Sequence, residues 1–240
     1  MCGRFTLRTP MTLLIEHFQL DVNVARQLAL FEPRYNIAPT QEILAIRVDA
    51  STGEREPAPL RWGLIPSWSK EPQSGPPLIN ARGESIAEKP SFRTAVRRRR
   101  CLIPADGFYE WQKAGPGSAK KQPYYIHYSD HRLFAFAGLW EQWTARDAPA
   151  GEALSIESCT IVTTSASKAL AELHDRMPVI LEPNDYALWL DPAVQDAAKV
   201  QPLVEPNDDP AIIFEPISTH VNKVANDDPR CIEAQRALFD

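Results

Sequence analysis

Apolar positions along the chain come in short runs, and prolines break most of the intervals between them. There are 22 prolines against 10 glycines. A proline lacks the N–H of a helical turn and its ring clashes with the preceding one, so long helices are excluded over most of the length. The runs EILAIRV (42–48), APLRWGLI (58–65), CLIPA, GFYEWQK, PYYIHY, RLFAFAGLW, SCTIVTT (158–164) and AIIFEPI (211–217) read as strands. They are rich in β-branched and aromatic residues and are bounded by turn formers. The stretch SDH between PYYIHY and RLFAFAGLW reads as a hairpin-like turn. Helical spacing is rarer. In TPMTLLIEHFQL, Thr9 can cap, Pro10 suits the first turn, and Leu13, Leu14, His17 and Phe18 share a face. Further short helices are predicted over 91–100 (SFRTAVRRRR), 165–173 (SASKALAEL) and 184–190 (NDYALWL). The polar segments Ser51–Pro57, 70–77, 113–122 and 144–153 read as exposed loops, each too short for a domain linker. There is no internal repeat and no βαβ alternation. The pattern predicts a single α+β domain with a mixed or antiparallel, barrel-like sheet and a few short peripheral helices.

Composition changes this picture little, but the placement of charge adds to it. The 240 residues are 44% hydrophobic and 24% charged, with a net charge of −5, all ordinary for a globular protein. From Arg61 to His127 there are 12 Lys and Arg against 5 Asp and Glu, whereas Glu141 to Asp240 carries a net −11. Such segregation points to a basic face on an otherwise acidic protein, the plain alternative being a solvated helix. No apolar run approaches the roughly 20 residues of a membrane span. The start lacks a basic segment followed by an apolar one, so no signal peptide is expected. The expected location is the cytoplasm, or the nucleus in a eukaryote. Cys2, Cys101, Cys159 and Cys231 form no CxxC pair and no Cys/His cluster in sequence, which argues against a zinc site and a disulfide framework. Cys101 and Cys159 lead apolar runs and read as small core residues.

Cys2 does not read that way, because Gly3 and Arg4 follow it. Loss of Met1 would leave it with a free α-amine beside its thiol. Such an amine has a pKa near ~8, so it is partly unprotonated at neutral pH and can add to an aldehyde as an imine. The thiol can then close a five-membered thiazolidine, an intramolecular and therefore favoured step. Two other readings stay open: a thiol nucleophile toward an acyl group, and a buried thiol in an ordered first strand. Four further places could carry chemistry. In PPLINARGES, Asn80 and Arg82 alternate and would project from one face of an extended chain, offering an amide and a phosphate-binding fork. In PADGFYEWQK, Glu110 lies between Tyr109 and Trp111, and is either a general acid/base with a raised pKa or simply solvated. In ELHDRMPVIL, His174 is the best proton carrier, with Asp175 and Arg176 to orient it and to bind anions. In RWGLIPSWSK, Trp68 between two serines is suited to stack on an unpaired base, while Trp62 reads as core. His17 reads as a packed histidine, nothing recommends His127 or His131, and His220 carries no assignment.

The motifs MCGRF, RYNIAPTQ, RWGLIPSW, INARGE, CLIPADGFYEW, TIVTTSA, LHDRMPVIL and HVNKVANDDP occur in an order that resembles the SOS-response-associated peptidase (SRAP) family. The resemblance runs from Cys2 to about Asp228. It implies one domain over residues 2–230 with a tail at 231–240. It also implies a DNA-damage protein that senses abasic sites in single-stranded DNA and cross-links to them through Cys2. The family's Asn, Glu and His map onto Asn80, Glu110 and His174. DNA contacts would fall on Arg4, Trp68, Arg82 and Arg176. The implied chemistry is a thiazolidine at the ring-opened aldehyde. In it His174 assists ring opening, Glu110 moves protons and Asn80 holds the Cys2 end. Lyase-type strand scission and a thiol-type removal of Met1 belong to the same expectation. So do a preference for junctions of single and double strand, a monomer and, in a bacterium, association with the nucleoid. No cofactor, metal or membrane is implied. Where some members carry two consecutive tryptophans, this chain has Ser67 and Trp68, which reduces the stacking surface. Two other classes compete: an N-terminal nucleophile amidohydrolase, with the Cys2 amine as base, and a single-strand-binding module whose Cys2 is structural.

Overall fold

The computed structural model describes residues 2–21, 23, 32–72, 75–112, 121–145 and 154–235. Met1 and most of the loops expected at 113–122 and 144–153 lie outside the described residues. The first half contains β1 (Phe5–Leu7), α1 (Met11–Phe18), β2 (Arg34–Ile37), β3 (Glu42–Val48), β4 (Arg55–Trp62), β5 (Asn80–Arg82), α2 (Ala95–Arg98), β6 (Arg100–Ala105) and β7 (Gly107–Gln112). The second contains β8 (Gln122–Tyr128), β9 (Phe134–Thr144), β10 (Ser155–Ser165), β11 (Arg176–Pro178), β12 (Ile180–Leu181), α3 (Tyr186–Leu190) and β13 (Ile212–Pro216).

Strands β10, β4, β3, β6 and β9 pair in that order, and β9 pairs back onto β10, closing a five-stranded barrel. Antiparallel alternation cannot close on an odd number of strands, so one seam must be parallel. That seam is β4 against β10, with Ser158 opposite Arg61 and Cys159 opposite Trp62. Closure removes the exposed edges that an open sheet would present. All six residues of β6 are buried, and Cys101 and Cys159 lie in the same core, as their apolar runs predict.

A second, antiparallel sheet has the order β13-β8-β7-β1-β2 and packs one face on the barrel. Phe5 meets Trp62 edge-on at 5.3 Å and Phe136 at 5.8 Å, and Phe108 meets Phe136 at 5.8 Å. Its other face is covered by a smaller cluster of Tyr109, Tyr125, Ile217, Val221 and Cys231. Both faces are therefore covered, and the first strand of the chain sits in the middle of this sheet. Residues 231–235, assigned to the tail from sequence, pack here: Ala234 bridges Ile217, and the Gln235 N–H reaches the Pro216 carbonyl at 3.0 Å.

Several predicted elements are shorter or displaced. The helix expected over 165–173 is reduced to one 3-10 turn at Leu170–Glu172, because Ser165 still pairs with Arg176 and the Ala166 N–H bonds to the Asp175 carbonyl. The helix expected over 91–100 is reduced to α2, since Arg100 already belongs to β6. The loop expected at Ser51–Pro57 ends early, with β4 starting at Arg55, and β4 stops at Trp62, short of residue 65. On α1, Leu14 and Phe18 are buried but Leu13 is exposed. Among the described residues no helix is long and apolar enough to cross a membrane.

Thr9 does not cap α1; it serves Asp106 instead. Asp106, only 2% exposed, accepts hydrogen bonds from Thr6 Oγ1 (2.6 Å), Arg8 N (2.5 Å), Arg8 Nε (3.1 Å), Thr9 N (2.9 Å) and Thr9 Oγ1 (3.1 Å). Next to it, Gly107 is required by close approach: a Cβ there would lie 2.2 Å from the Tyr125 hydroxyl. Removing the Asp106 carboxylate leaves several donors unpaired at once. Asp106→Ala should therefore lower stability by about 3 kcal/mol. In a urea titration the midpoint should fall with an unchanged slope, and a midpoint equal to that of the unaltered protein would exclude this anchor.

Candidate active site

Cys2 lies three residues before the start of β1 and is fully buried. The pairing of Phe5 with Phe108, and the bond from Tyr109 N to Arg4 O (3.0 Å), set β7 alongside the start of the chain. Along β7, Phe108 and Glu110 share one face and Tyr109 and Trp111 the other. Glu110 thus points to the same side as the Phe108 contact with the barrel. It is 5% exposed, so the solvated alternative does not hold. Burial pushes the Cys2 thiol far up from its ordinary pKa, and the neighbouring Glu110 charge adds to this. The thiol is a neutral S–H at physiological pH. Asn80 Nδ2 donates to the Cys2 carbonyl at 2.9 Å, while its Oδ1 is buried without a hydrogen-bond partner among the described residues.

Asn80 is held there by β10, which outlasts the barrel. Past β4, the C-terminal half of β10 pairs in parallel with β5, placing Ile161 opposite Asn80 and Thr163 opposite Arg82. The end of β10, Thr163 to Ser165, also pairs with β11, with Ser165 opposite Arg176. One strand end therefore carries Asn80 and Arg82 on one flank and Arg176 on the other, two residues past His174. Arg82 is exposed. Arg176 is engaged: its two terminal nitrogens meet Glu84 at 2.5 and 2.9 Å, and Nη2 also reaches Thr163 O at 2.7 Å. His174 Nδ1 accepts the Arg176 N–H at 3.0 Å and lies 2.9 Å from Asp175 Oδ1. One protonation state cannot make both contacts. Nδ1 accepts the amide bond only when it carries no proton and donates to the carboxylate only when it carries one.

A cleft of about 840 Å³ opens one residue beyond Cys2, lined by Gly3, Arg4, Pro39, Trp111, Lys121 and Asn222. Arg4 lies 5.8 Å above the Trp111 ring and donates to Asn36 Oδ1 (2.8 Å) and Val221 O (3.0 Å). Trp111 Nε1 in turn donates to Asn222 Oδ1 at 2.7 Å. Trp68 stands elsewhere, 56% exposed, over a separate pocket of about 280 Å³ walled by Pro66, Pro72, Pro76, Pro77, Leu78 and Ser91. Trp62 is core, as read from sequence, and its Nε1 holds the Ile79 carbonyl at 2.9 Å.

Two residues that sequence reasoning passed over tie β2 to Arg4 and to the segment 221–227 behind the cleft. Asn36 is fully buried, and its Nδ2 donates to the carbonyls of Val221 (3.1 Å), Lys223 (3.0 Å) and Asn226 (2.7 Å). Asp227 accepts from Tyr35 N (2.5 Å), Asn36 N (2.9 Å) and Arg34 Nε. Both sit in quoted motifs, but their partners lie some 190 residues away and leave no local signal. The fold also gathers His220, Asp228 and Cys231, which sequence spacing did not suggest, with donor atoms within 4.8 Å of one another. Arg230 Nε and Nη2 bind the two Asp228 oxygens at 3.0 and 2.8 Å, and that positive charge opposes a cation. With His220 Nε2 3.1 Å from Asp228 Oδ2, the group knits the segment together. His17 packs against Tyr186 (3.1 Å to its hydroxyl), as read, and His127 is buried between Tyr125 and His131. Asn36→Ala should leave three carbonyls and Arg4 short of partners and cost about 2–4 kcal/mol. Hydrogen exchange should accelerate at residues 219–228 and not in the barrel; equal protection in both would disprove the clamp.

Comparison with known proteins agrees with this geometry. The SOS response associated peptidase (SRAP) family is matched over residues 1–224. Abasic site processing protein YoqW of Bacillus subtilis (strain 168) is 42% identical over 234 residues, covering 98% of this chain and all of that protein. Abasic site processing protein HMCES of Mus musculus is 34% identical over 97% of this chain and 75% of its own length. Among solved structures, a protein from Bacteroides thetaiotaomicron superposes with a TM-score of 0.82 at 26% identity, covering 98% of this chain and 100% of that one. Fold, motif order and sequence identity converge: the chain belongs to the SOS response associated peptidase (SRAP) family.

Proposed function

We propose that this protein captures abasic sites in single-stranded DNA as a covalent thiazolidine at Cys2, once Met1 has been removed. The observation that carries the reading is the hydrogen bond from Asn80 to the Cys2 carbonyl, beside a buried Glu110 that bears on the thiol. The relatives named abasic site processing proteins supply the substrate class. The open-chain sugar presents an aldehyde at C1′. The Cys2 amine adds to that carbon, and loss of water leaves an imine. The thiol then adds across the C=N bond: a C–S bond forms, and the sulfur's proton ends on nitrogen. No oxidant is needed, and consumption of the aldehyde blocks strand cleavage by β-elimination.

Each side chain has a part in this scheme. Asn80 fixes the Cys2 backbone, and its buried Oδ1 is an acceptor for an amine proton. Glu110 takes the thiol proton as sulfur attacks and supplies one as water leaves. His174, protonated on both nitrogens with Asp175 beside Nδ1, donates to the sugar ring oxygen and opens it. Arg4 and Arg82 bind phosphates flanking the lesion, and Arg176 joins them if Glu84 gives it up. Trp68 stacks on a base of the strand or at a junction with duplex. Removal of Met1 by the same proton-transfer groups is the peptidase reading, and lyase-type scission is what remains when ring closure fails. A buried S–H suits both the long wait for a lesion and an intramolecular closure, since thiolates are the oxidisable form.

Cys2→Ala should abolish the DNA–protein band that survives a denaturing gel after incubation with an abasic oligonucleotide. An equally intense band in that variant would overturn the thiazolidine. Cys2→Ser keeps the amine, so it should give strand scission and a borohydride-trappable adduct in place of the stable one. In the unaltered protein, intact mass should show Met1 absent and the adduct lighter than protein plus strand by one water.

A further inference from the structure

The run of four arginines at 97–100 divides sharply in the fold. Arg100 is buried, and its guanidinium donates to the carbonyls of Trp189, Val96 (2.6 Å), Val194 (3.0 Å) and Asp191 (2.5 Å). Arg99 is half-buried and pairs with Glu141 at 2.7 Å. These two are structural. Arg97 and Arg98 face solvent, and with Arg93 they line a groove of about 570 Å³ that also includes Thr94, Glu88 and Gln195. None of these three exposed guanidinium groups makes a side-chain hydrogen bond or ion pair among the described residues. Glu88 is the single carboxylate lining the groove, so the lining carries three positive charges against one negative.

We infer that this groove is a second nucleic-acid contact, which holds the phosphate backbone of the strand outside the reacting site. It rests on the reading of the protein as a DNA binder and extends the footprint beyond the residues assigned to the lesion. Continuity supports it. One stretch of chain, 78–98, supplies Asn80 to the Cys2 clamp, Leu78 and Ser91 to the Trp68 pocket, and Arg93, Arg97 and Arg98 to the groove. Ser91 and Arg93 are two residues apart, so the Trp68 pocket and the groove lie on either side of one short segment. Guanidinium forks suit phosphate oxygens and carry no base preference, so the contact lengthens the bound strand without adding sequence specificity. It also gives the basic excess between residues 61 and 127 a place on the surface.

The test uses the full chain with Arg93, Arg97 and Arg98 all changed to Ala, and an intact single strand long enough to leave the Cys2 cleft. Each phosphate neutralised on a single strand contributes about 0.7 to the slope of log affinity against log salt. The triple variant should therefore lose about 2 from that slope. The advantage of the unaltered protein should shrink about 20-fold between roughly 50 and 200 mM salt. The corresponding triple Lys variant should keep the slope, and Glu88→Gln should tighten binding. Cross-linking to a short abasic oligonucleotide should be unchanged, because the groove does not touch the reaction. An unaltered slope in the Ala variant, in protein whose melting curve is normal, overturns the groove. Failure of the unaltered protein to cross-link at all would count against the Cys2 chemistry and leave the slope measurement on intact DNA to judge the groove alone.

Discussion

The start of this chain is held as firmly as a core strand, and Asp106 supplies the hold. Its carboxylate gathers five hydrogen bonds from Thr6, Arg8 and Thr9, on the far side of β1 from Cys2. Ordinary chain termini fray because nothing repays the entropy of ordering them. Here the first strand lies between β7 and β2, is buried at every residue, and is tied at its exit by the buried Asp106 side chain. Cys2 inherits its position from that arrangement. Asn80 then fixes the last carbonyl before the thiol.

The second constraint is the odd number of strands in the barrel. A parallel seam between β4 and β10 is unavoidable, and its C-terminal continuation is where β5 and β11 dock. Groups from residues near 80 and near 175 come to one strand end because β5 pairs with Ile161–Thr163 of β10 and β11 with Thr163–Ser165, the two sharing Thr163. Strand pairing thus sets the placement of Asn80, Arg82 and Arg176, and His174 lies two residues before β11.

Much of this was legible in the sequence. Runs of β-branched and aromatic residues mark the longer strands, β3, β4, β6 to β10 and β13, while the short β2, β5, β11 and β12 do not read as strands. The unusual motifs around Cys2, Asn80, Glu110 and His174 mark residues on or beside the β1, β7 and β10 framework. Helix lengths were overestimated where a strand pairing claimed the residues, as at Ser165 and Arg100. Glu110 could be read two ways, because its burial depends on the second sheet packing against the barrel. Asn36 and Asp227 escaped notice for a different reason. Their work is to hold a distant segment through backbone carbonyls and amides, and backbone groups leave no trace in residue identity.

One feature of the barrel seam bears on how such a protein can vary. The excursion that carries Trp68 leaves at Gly63, whose N–H is held by the Cys159 carbonyl, and returns through the Leu64–Leu78 bridge to Ile79, held by Trp62. Departure and return lie side by side on fixed strands. The entropy of closing a loop on such a fixed pair grows only slowly with its length. Residues can therefore be added to, removed from or replaced within 70–77 while Asn80 keeps its register on β10, whereas Ile65 and Ser69 are buried and bonded to Ser158 and Trp143. The surface around Trp68 and the groups around Cys2 are thereby free to change independently.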